Sequence, residues 1–153
     1  DMSIRKTLAE WSALGVQDAR GRRLVNHLQD QASLILPAGH RGPAFLVMNN
    51  FRSILKYNNS TSYALAISLL AERFQGRGQV LASWPVDDDP LSRAERVELQ
   101  ERLQQQGFEP GAADGIIGAN TRQAIRRSQI ALGWPADGYP DRQLLKALRN
   151  RVQ

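Results

Sequence analysis

Apolar residues fall at Ile4, Leu8, Trp11 and Leu14, the spacing of one helix face, and Gly15 ends the run. This predicts a helix over residues 3–14. The next stretch, QDARGRRLVNHLQDQ, is polar and basic with little periodicity. Ser33–Pro37 and Ala44–Met48 are short apolar runs joined by AGHRG, a pattern of two strands and a turn. Asn50–Lys56 reads as a short helix, interrupted by YNNSTSY at Tyr57–Tyr63. From Thr61 to Phe74 the chain is apolar almost all round, which predicts a helix buried on most faces, with Ser60 as its N-cap and Gly76 as its stop.

The pattern then changes. GRGQVLASWPVDDDP, from Gly76 to Pro90, holds glycines, two prolines and three successive aspartates, the composition of a boundary between domains. Ser92 opens a second unit with a capping box closed by Glu95. Its first helix runs through Val97, Leu99 and Leu103 to Gly107; a second is predicted over about 119–132 and a third over 141–149. Two echoes mark this unit. Gly107-Phe108 leads to Ala113-Asp114-Gly115, and Gly133-Trp134 leads to Ala136-Asp137-Gly138, each ahead of a helix. Asp-Gly makes a tight turn in which the carboxylate takes nearby backbone N–H groups. A unit of this size has little apolar surface to spare. Leu99, Leu103, Ile117, Ala124, Ile125, Leu132, Leu144, Leu145 and Leu148 are therefore its expected core.

Composition narrows the chemistry. The chain has 153 residues, no cysteine and only His27 and His40 as histidines, so thiolate and histidine-rich metal sites are excluded and no cofactor is expected. Residues 1–89 carry ten Lys/Arg against eight Asp/Glu, and residues 90–153 carry ten against seven. An even excess of this kind suits a polyanionic partner; a nucleic-acid surface concentrates its charge, and no such run exists here. The longest apolar stretch, Tyr63–Ala71, is too short to span a bilayer, and no signal-peptide pattern opens the chain. The helix-like start directly after Asp1 is that expected of a piece of a longer protein.

From Leu91 to about Leu148 the sequence resembles the three-helix peptidoglycan-binding domain appended to many bacterial cell-wall enzymes, most specifically in DGIIGANTRQAI at Asp114–Ile125. It departs from that family at Ser128, where an aromatic residue usually precedes Gln129. PAGHRGPAFLVMNNFRSILKYNNSTSYALAISLLAERF, with LAEWSALGV before it, resembles the C-terminal end of the catalytic domain of B-type lytic murein transglycosylases, glycoside hydrolase family 103. Together the resemblances imply a mainly α (α+β) fold. Residues 1–76 would be part of a lysozyme-like catalytic domain with a small β-hairpin, 77–91 a linker, and 92–153 the three-helix domain.

The implied activity is cleavage of the MurNAc–GlcNAc bond of peptidoglycan, in which one glutamate protonates the leaving oxygen and the muramoyl 6-hydroxyl closes a 1,6-anhydro ring. Such a glutamate must be desolvated to hold its proton near neutrality. The family's acid lies in a Glu-Ser-x-Phe-Gly-like motif, and none of Glu10, Glu72, Glu95, Glu98, Glu101 or Glu109 has that context. The acid is expected upstream of Asp1, and this chain alone is expected to be inactive. The resemblance places Tyr57, Asn58 and Tyr63 on the substrate cleft. From the residues alone the same cluster also reads as a helix cap with two tyrosines in the core. Asn120, Arg122, Arg126 and Tyr139 are candidates for binding peptidoglycan, and the arginines read equally as the solvated face of a helix. Asp114, Gly115 and Gly118 read as loop architecture. Trp11, Trp84 and Trp134 are possible sugar platforms, with Trp134 expected to pack and Trp84 left open.

The implied partner is the peptidoglycan glycan strand, with other cell-wall enzymes as further candidates, no nucleic acid and no membrane-spanning segment. The implied location is the periplasm or envelope of a Gram-negative bacterium. A reading of another class is a non-catalytic wall anchor.

Overall fold

The computed structural model describes residues 2–151; Asp1, where the predicted opening begins, and Val152 and Gln153, the end of the predicted second domain, lie outside the described residues. The chain forms two units: one runs to Pro37 and resumes over 41–84, and the other takes residues 38–40 and 85 onward.

The first unit contains β1 (Lys6–Thr7), α1 (Leu8–Ala13), β2 (Gln31–Ile35), β3 (Phe45–Val47), α2 (Asn49–Tyr57) and α3 (Thr61–Phe74). Its sheet is antiparallel in the order β1-β2-β3, with Lys6 opposite Ala32 and Ser33 opposite Val47. The predicted hairpin is present. The predicted helix over 3–14 is shorter than expected, because Lys6 and Thr7 pair with β2 and the helix begins only at Leu8. A capping box sets that start: the Thr7 hydroxyl accepts from Glu10 N–H at 3.1 Å, and Glu10 Oε2 accepts from Thr7 N–H at 2.7 Å. Ile4 and Leu14, the outer members of the periodic run, are exposed.

Ile35, Val47, Phe51, Ala64 and Leu65 form the main core of this unit, and Leu8, Trp11 and Ala32 a smaller one. Here α3 departs from expectation. Ala64 and Leu65 are buried, but Ile67, Leu70 and Phe74 are 38, 52 and 83% exposed. Among the described residues, β2, β3 and α2 supply its core neighbours, and they cover only one of its faces.

The second unit is a three-helix domain of α4 (Arg93–Gln105), α5 (Ala119–Ala131) and α6 (Arg142–Asn150). Ser92 and Glu95 form the expected capping box, and the Asp141 carboxylate caps α6 by accepting from Leu144 N–H at 2.7 Å. Leu91, Leu99, Leu103, Ala124, Ile125, Leu144, Leu145 and Leu148 form the core, with Phe108, Ile117, Leu132 and Trp134 packed against it. Every residue of the predicted core is thus either buried or at its margin.

The echo in the sequence is a duplication in space. Gln100 Oε1 accepts from Gly115 N–H at 2.8 Å, and Gln129 Oε1 accepts from Gly138 N–H at 2.9 Å. Each glutamine's Nε2 faces the aspartate of the same turn, at 3.5 Å from Asp114 Oδ1 and 2.7 Å from Asp137 Oδ1. Each aspartate's Oδ1 accepts the next backbone N–H but one, from Ile116 or Tyr139, at 2.8 Å. Both turns require glycine, because φ is +79° at Gly115 and +72° at Gly138. A Cβ at Gly115 would stand 3.2 Å from Arg93 O, and one at Gly138 would stand 3.0 Å from Arg122 O.

Ser128 is fully buried, and its hydroxyl has no hydrogen-bond partner among the described residues. Gln100 is the opposite case, a buried amide with partners on both atoms. Leaving buried partners unsatisfied costs about 1–3 kcal/mol, whereas removing an unpartnered group relieves a desolvation cost. Gln100→Ala is therefore expected to lower unfolding stability by about 1–3 kcal/mol, and Ser128→Ala to raise it by about 1 kcal/mol, both read from denaturant midpoints.

Candidate functional site

In the first unit the YNNSTSY stretch joins α2 to α3. Asn58 ends α2, its N–H donating to Ile54 O at 3.0 Å, and Ser60 starts α3 by accepting from Tyr63 N–H at 3.2 Å. Capping therefore occupies Ser60 and the backbone alone. Tyr57 is 86% exposed and Tyr63 38% exposed, so neither packs in the core. Among the described residues the Tyr57 and Tyr63 hydroxyls and the Asn58 and Asn59 amides make no hydrogen bond. The result is an exposed cluster of two aromatic rings and two amides, with its directional hydrogen-bonding groups open.

The tryptophans separate cleanly. Trp11 is a core residue whose indole N–H donates to Ala32 O at 3.0 Å, which removes it as a sugar platform. Trp134 packs against the core of the second unit, as its place in the turn implied. Trp84 is 42% exposed and stacks on Phe45 with ring centroids 6.1 Å apart.

Glu10, Glu72, Glu95 and Glu98 are engaged as structural groups. Thr7 N–H and then the Thr7 hydroxyl hold Glu10 below the usual carboxylate range, and the Ser92 N–H and hydroxyl do the same for Glu95. Glu72 pairs with Arg77 at 2.9 Å. Glu98 joins α4 to α6 through a two-pronged pair with Arg149, at 2.9 Å and 2.6 Å, and also takes Arg102 at 2.8 Å. These arginines pull its carboxyl down to about 2. A general acid at neutral pH needs the opposite shift. Among the described residues no group of three His, Asp or Glu could hold a metal ion.

In the second unit the four candidate residues do not form one cluster. Asn120 is exposed near the start of α5. Arg122, Arg126 and Tyr139 gather around the second Asp-Gly turn. Arg126 lies so close over Gly138 that a Cβ there would be 3.0 Å from its Nε. Desolvation, and then the charge of Arg126, lowers the pKa of Arg122, although its surface remains open to water. Burial, and then a hydrogen bond to Asp88, pushes the Tyr139 phenol up to about 12, so its hydroxyl is already engaged. Residues 38–40 group with this unit, and His40 holds Asp137 Oδ2 through its N–H at 2.8 Å and Nδ1 at 2.7 Å. Burial pushes the Asp137 carboxyl up, but its bonds from Tyr139, Gln129 and His40 prevail and leave it lowered. Sequence reasoning missed His40; the ADG echo was its available signal, since both aspartates were expected only to shape loops.

Against this geometry, residues 1–72 match the Transglycosylase SLT domain family and residues 92–148 the Putative peptidoglycan binding domain family. The first part of the chain is thus similar to transglycosylase SLT domains and the second to peptidoglycan-binding domains. It superposes on SltB3 from Pseudomonas aeruginosa, solved in complex with NAG-anhNAM-pentapeptide, with TM-score 0.93 and 59% identity over 97% of this chain and 40% of that one. The same protein solved with NAG-NAM-pentapeptide gives TM-score 0.93 and 60% identity. A spore cortex-lytic enzyme of Bacillus cereus is 34% identical over 74 residues, 48% of this chain and 29% of that protein. A Putative OxPP cycle protein OpcA of Synechococcus elongatus is 41% identical over 56 residues, 37% of this chain and 13% of its own length. The chain therefore spans well under half the length of each of these relatives. The overall class, mostly helical with a three-stranded antiparallel sheet, agrees with the lysozyme-like expectation.

The Glu98 pairs give the second unit an acid sensitivity with a definite sign. A carboxyl depressed in the folded state contributes its stability above the ordinary value of 4.5 and loses it as pH falls toward about 2. The unit's melting temperature should drop across that window, and Glu98→Gln should lower it at pH 7 while flattening the decline, as followed by circular dichroism.

Proposed function

We propose that this chain is the C-terminal portion of a B-type lytic murein transglycosylase of glycoside hydrolase family 103. Residues to about 76 belong to the catalytic domain, 77–91 to a linker and 92–153 to a wall-binding module. The observation that carries the reading is the open cluster at the α2–α3 junction, within a segment 59% identical to a protein solved with a NAG-anhNAM-pentapeptide. Tyr57 and Tyr63 offer rings for sugar faces, and Asn58 offers an amide that both donates and accepts, suited to an acetamido group or to the attacking 6-hydroxyl.

Cleavage then follows the transglycosylase course. An acid protonates the glycosidic oxygen, the MurNAc–GlcNAc bond breaks, and the muramoyl 6-hydroxyl bonds to C1 as it loses its proton, so no water is consumed. On this reading the acid is a glutamate supplied from outside this chain: none of the six glutamates here stands in a Glu-Ser-x-Phe-Gly-like motif, and Glu10, Glu72, Glu95 and Glu98 serve caps and ion pairs. Asn120, Arg122, Arg126 and Tyr139 form part of the module's peptidoglycan surface, and the protein acts outside the cytoplasm, in the periplasm of a Gram-negative cell. Among the described residues no helix is long and apolar enough to cross a membrane. Other cell-wall enzymes are candidate partners.

A second reading, a wall anchor without catalysis, is favoured by the engagement of those glutamates. Two measurements separate the possibilities. The chain should co-sediment with purified sacculi and release no 1,6-anhydro-muramoyl products by mass spectrometry; failure to sediment removes both wall readings, and release of product places the acid within this chain. In an intact lytic transglycosylase carrying this segment, Asn58→Ala should lower kcat/KM by about tenfold or more, about 1.4 kcal/mol of transition-state stabilisation, with an unchanged melting temperature. Equal loss of rate and stability would instead make Asn58 a structural cap, and full activity would remove Asn58 from the substrate cleft.

A further inference from the structure

The duplicated Asp-Gly turns are equivalent on one side and different on the other. Arg93, Val97 and Gln100 of α4 correspond to Arg122, Arg126 and Gln129 of α5, each pair 29 positions apart, and both glutamines hold their turns alike. Both aspartates use Oδ1 inside the turn. In the second turn Oδ2 receives a piece of peptide: His40 N–H at 2.8 Å and the imidazole Nδ1 at 2.7 Å. Gly39 comes so close that a Cβ there would stand 2.8 Å from that same oxygen. In the first turn Asp114 Oδ2 has no hydrogen-bond partner among the described residues.

Beside Asp114 lies an open groove of about 540 Å³. Its charged walls are Arg93, Glu98, Glu101 and Asp114. Glu98 is saturated by Arg102 and Arg149. Arg93 and Glu101 form no hydrogen bond or ion pair among the described residues. The groove therefore presents two anionic acceptors, Asp114 Oδ2 and Glu101, and one cation, Arg93, whose charge acts on Asp114 without a direct bond, around small apolar surfaces of Ala94, Val97 and Ala113. No aromatic ring lines it, so it lacks the flat face on which a sugar stacks. A ligand that complements it carries amide N–H groups, an ammonium group, a carboxylate and methyl-sized side chains. Those are the features of a short peptide, the kind of group that the equivalent aspartate already holds.

We propose that this groove is the seat of a peptidoglycan stem peptide. Asp114 Oδ2 and Glu101 accept from its N–H groups and side-chain ammonium, and Arg93 binds a carboxylate of the same peptide. The assignment rests on the reading of residues 92–153 as a peptidoglycan-binding module and names the part of the polymer that this face recognises.

The test titrates the isotope-labelled full chain with a sugar-free stem tetrapeptide, L-Ala-γ-D-Glu-meso-diaminopimelate-D-Ala, and separately with peptide-free glycan strands, followed by NMR. The tetrapeptide should shift amide signals in Arg93–Glu101 and Ala113–Ile116, and the glycan strands should leave them in place. Asp114→Asn keeps an oxygen for Ile116 N–H but turns the outer acceptor into a donor, and it should weaken tetrapeptide binding about tenfold. Glu101→Gln, which disturbs no bond within the fold, should weaken it severalfold and serves if Asp114→Asn fails to fold. Tetrapeptide shifts centred on Asp137, unchanged affinity in the folded variants, or a response of the groove to glycan alone would overturn the seat. Co-sedimentation with sacculi distinguishes the two levels. A chain that pellets but ignores the tetrapeptide refutes the seat and keeps the module, and one that does neither refutes both.

Discussion

The second unit depends on two buried glutamine amides. Helix packing by leucines alone would leave the connecting turns free to slide, because apolar contact is non-directional. Gln100 and Gln129 remove that freedom by pairing with the Gly N–H and the Asp carboxylate of their turns. The turns then set where α5 and α6 begin, so that Leu144, Leu145 and Leu148 meet Leu99 and Leu103 in one core. A buried amide with every partner in place specifies one arrangement; half satisfied, it would oppose folding. The glycines complete the device, since the positive φ and the close approach of the preceding helix leave no room for a side chain.

Charge plays a different part in each unit. In the second, Glu95 and Glu98 of α4 meet Arg142 and Arg149 of α6, and the fork of Arg149 on Glu98 adds direction to the attraction. In the first, the polar surplus of YNNSTSY stays outside the ion-pair system. One hydroxyl, that of Ser60, suffices to start α3. The side chains of Tyr57, Asn58 and Tyr63 make no hydrogen bond among the described residues, which makes them available to a ligand at little cost in stability.

Much of the fold was legible because its signals are local. The Ser92–Glu95 box, the Ser60 cap and the glycines after α3 and α4 act within one turn of chain, so α3 to α6 begin and end near their expected residues. The expected helix over residues 3–14 failed for an equally physical reason. Its spacing fits a helix, yet pairing of Lys6 with Ala32 depends on residues far along the chain, and the Thr7–Glu10 box that marks the true start was the overlooked local sign. The cluster at Tyr57–Tyr63 could be named as a candidate, but whether its rings lay in a core or in solvent was undecidable from spacing. The resemblance also pointed to Arg122, Arg126 and Tyr139 without revealing that Asp88 already holds the phenol.

By itself the sequence determined the secondary structure of the three-helix unit, its core residues, the absence of cysteine chemistry and the presence of two matching Asp-Gly turns. Those properties follow from periodicity, caps and backbone preferences that neighbouring residues impose on one another. Tertiary structure alone decided which carboxylate oxygens are filled. Asp114 and Asp137 stand in the same local pattern, and only the approach of Gly39 and His40, nearly a hundred residues away, closes one and leaves the other open. It also decided that Trp11 is a core residue and Tyr57 a surface one, because burial is set by what packs against a side chain and not by the residues beside it.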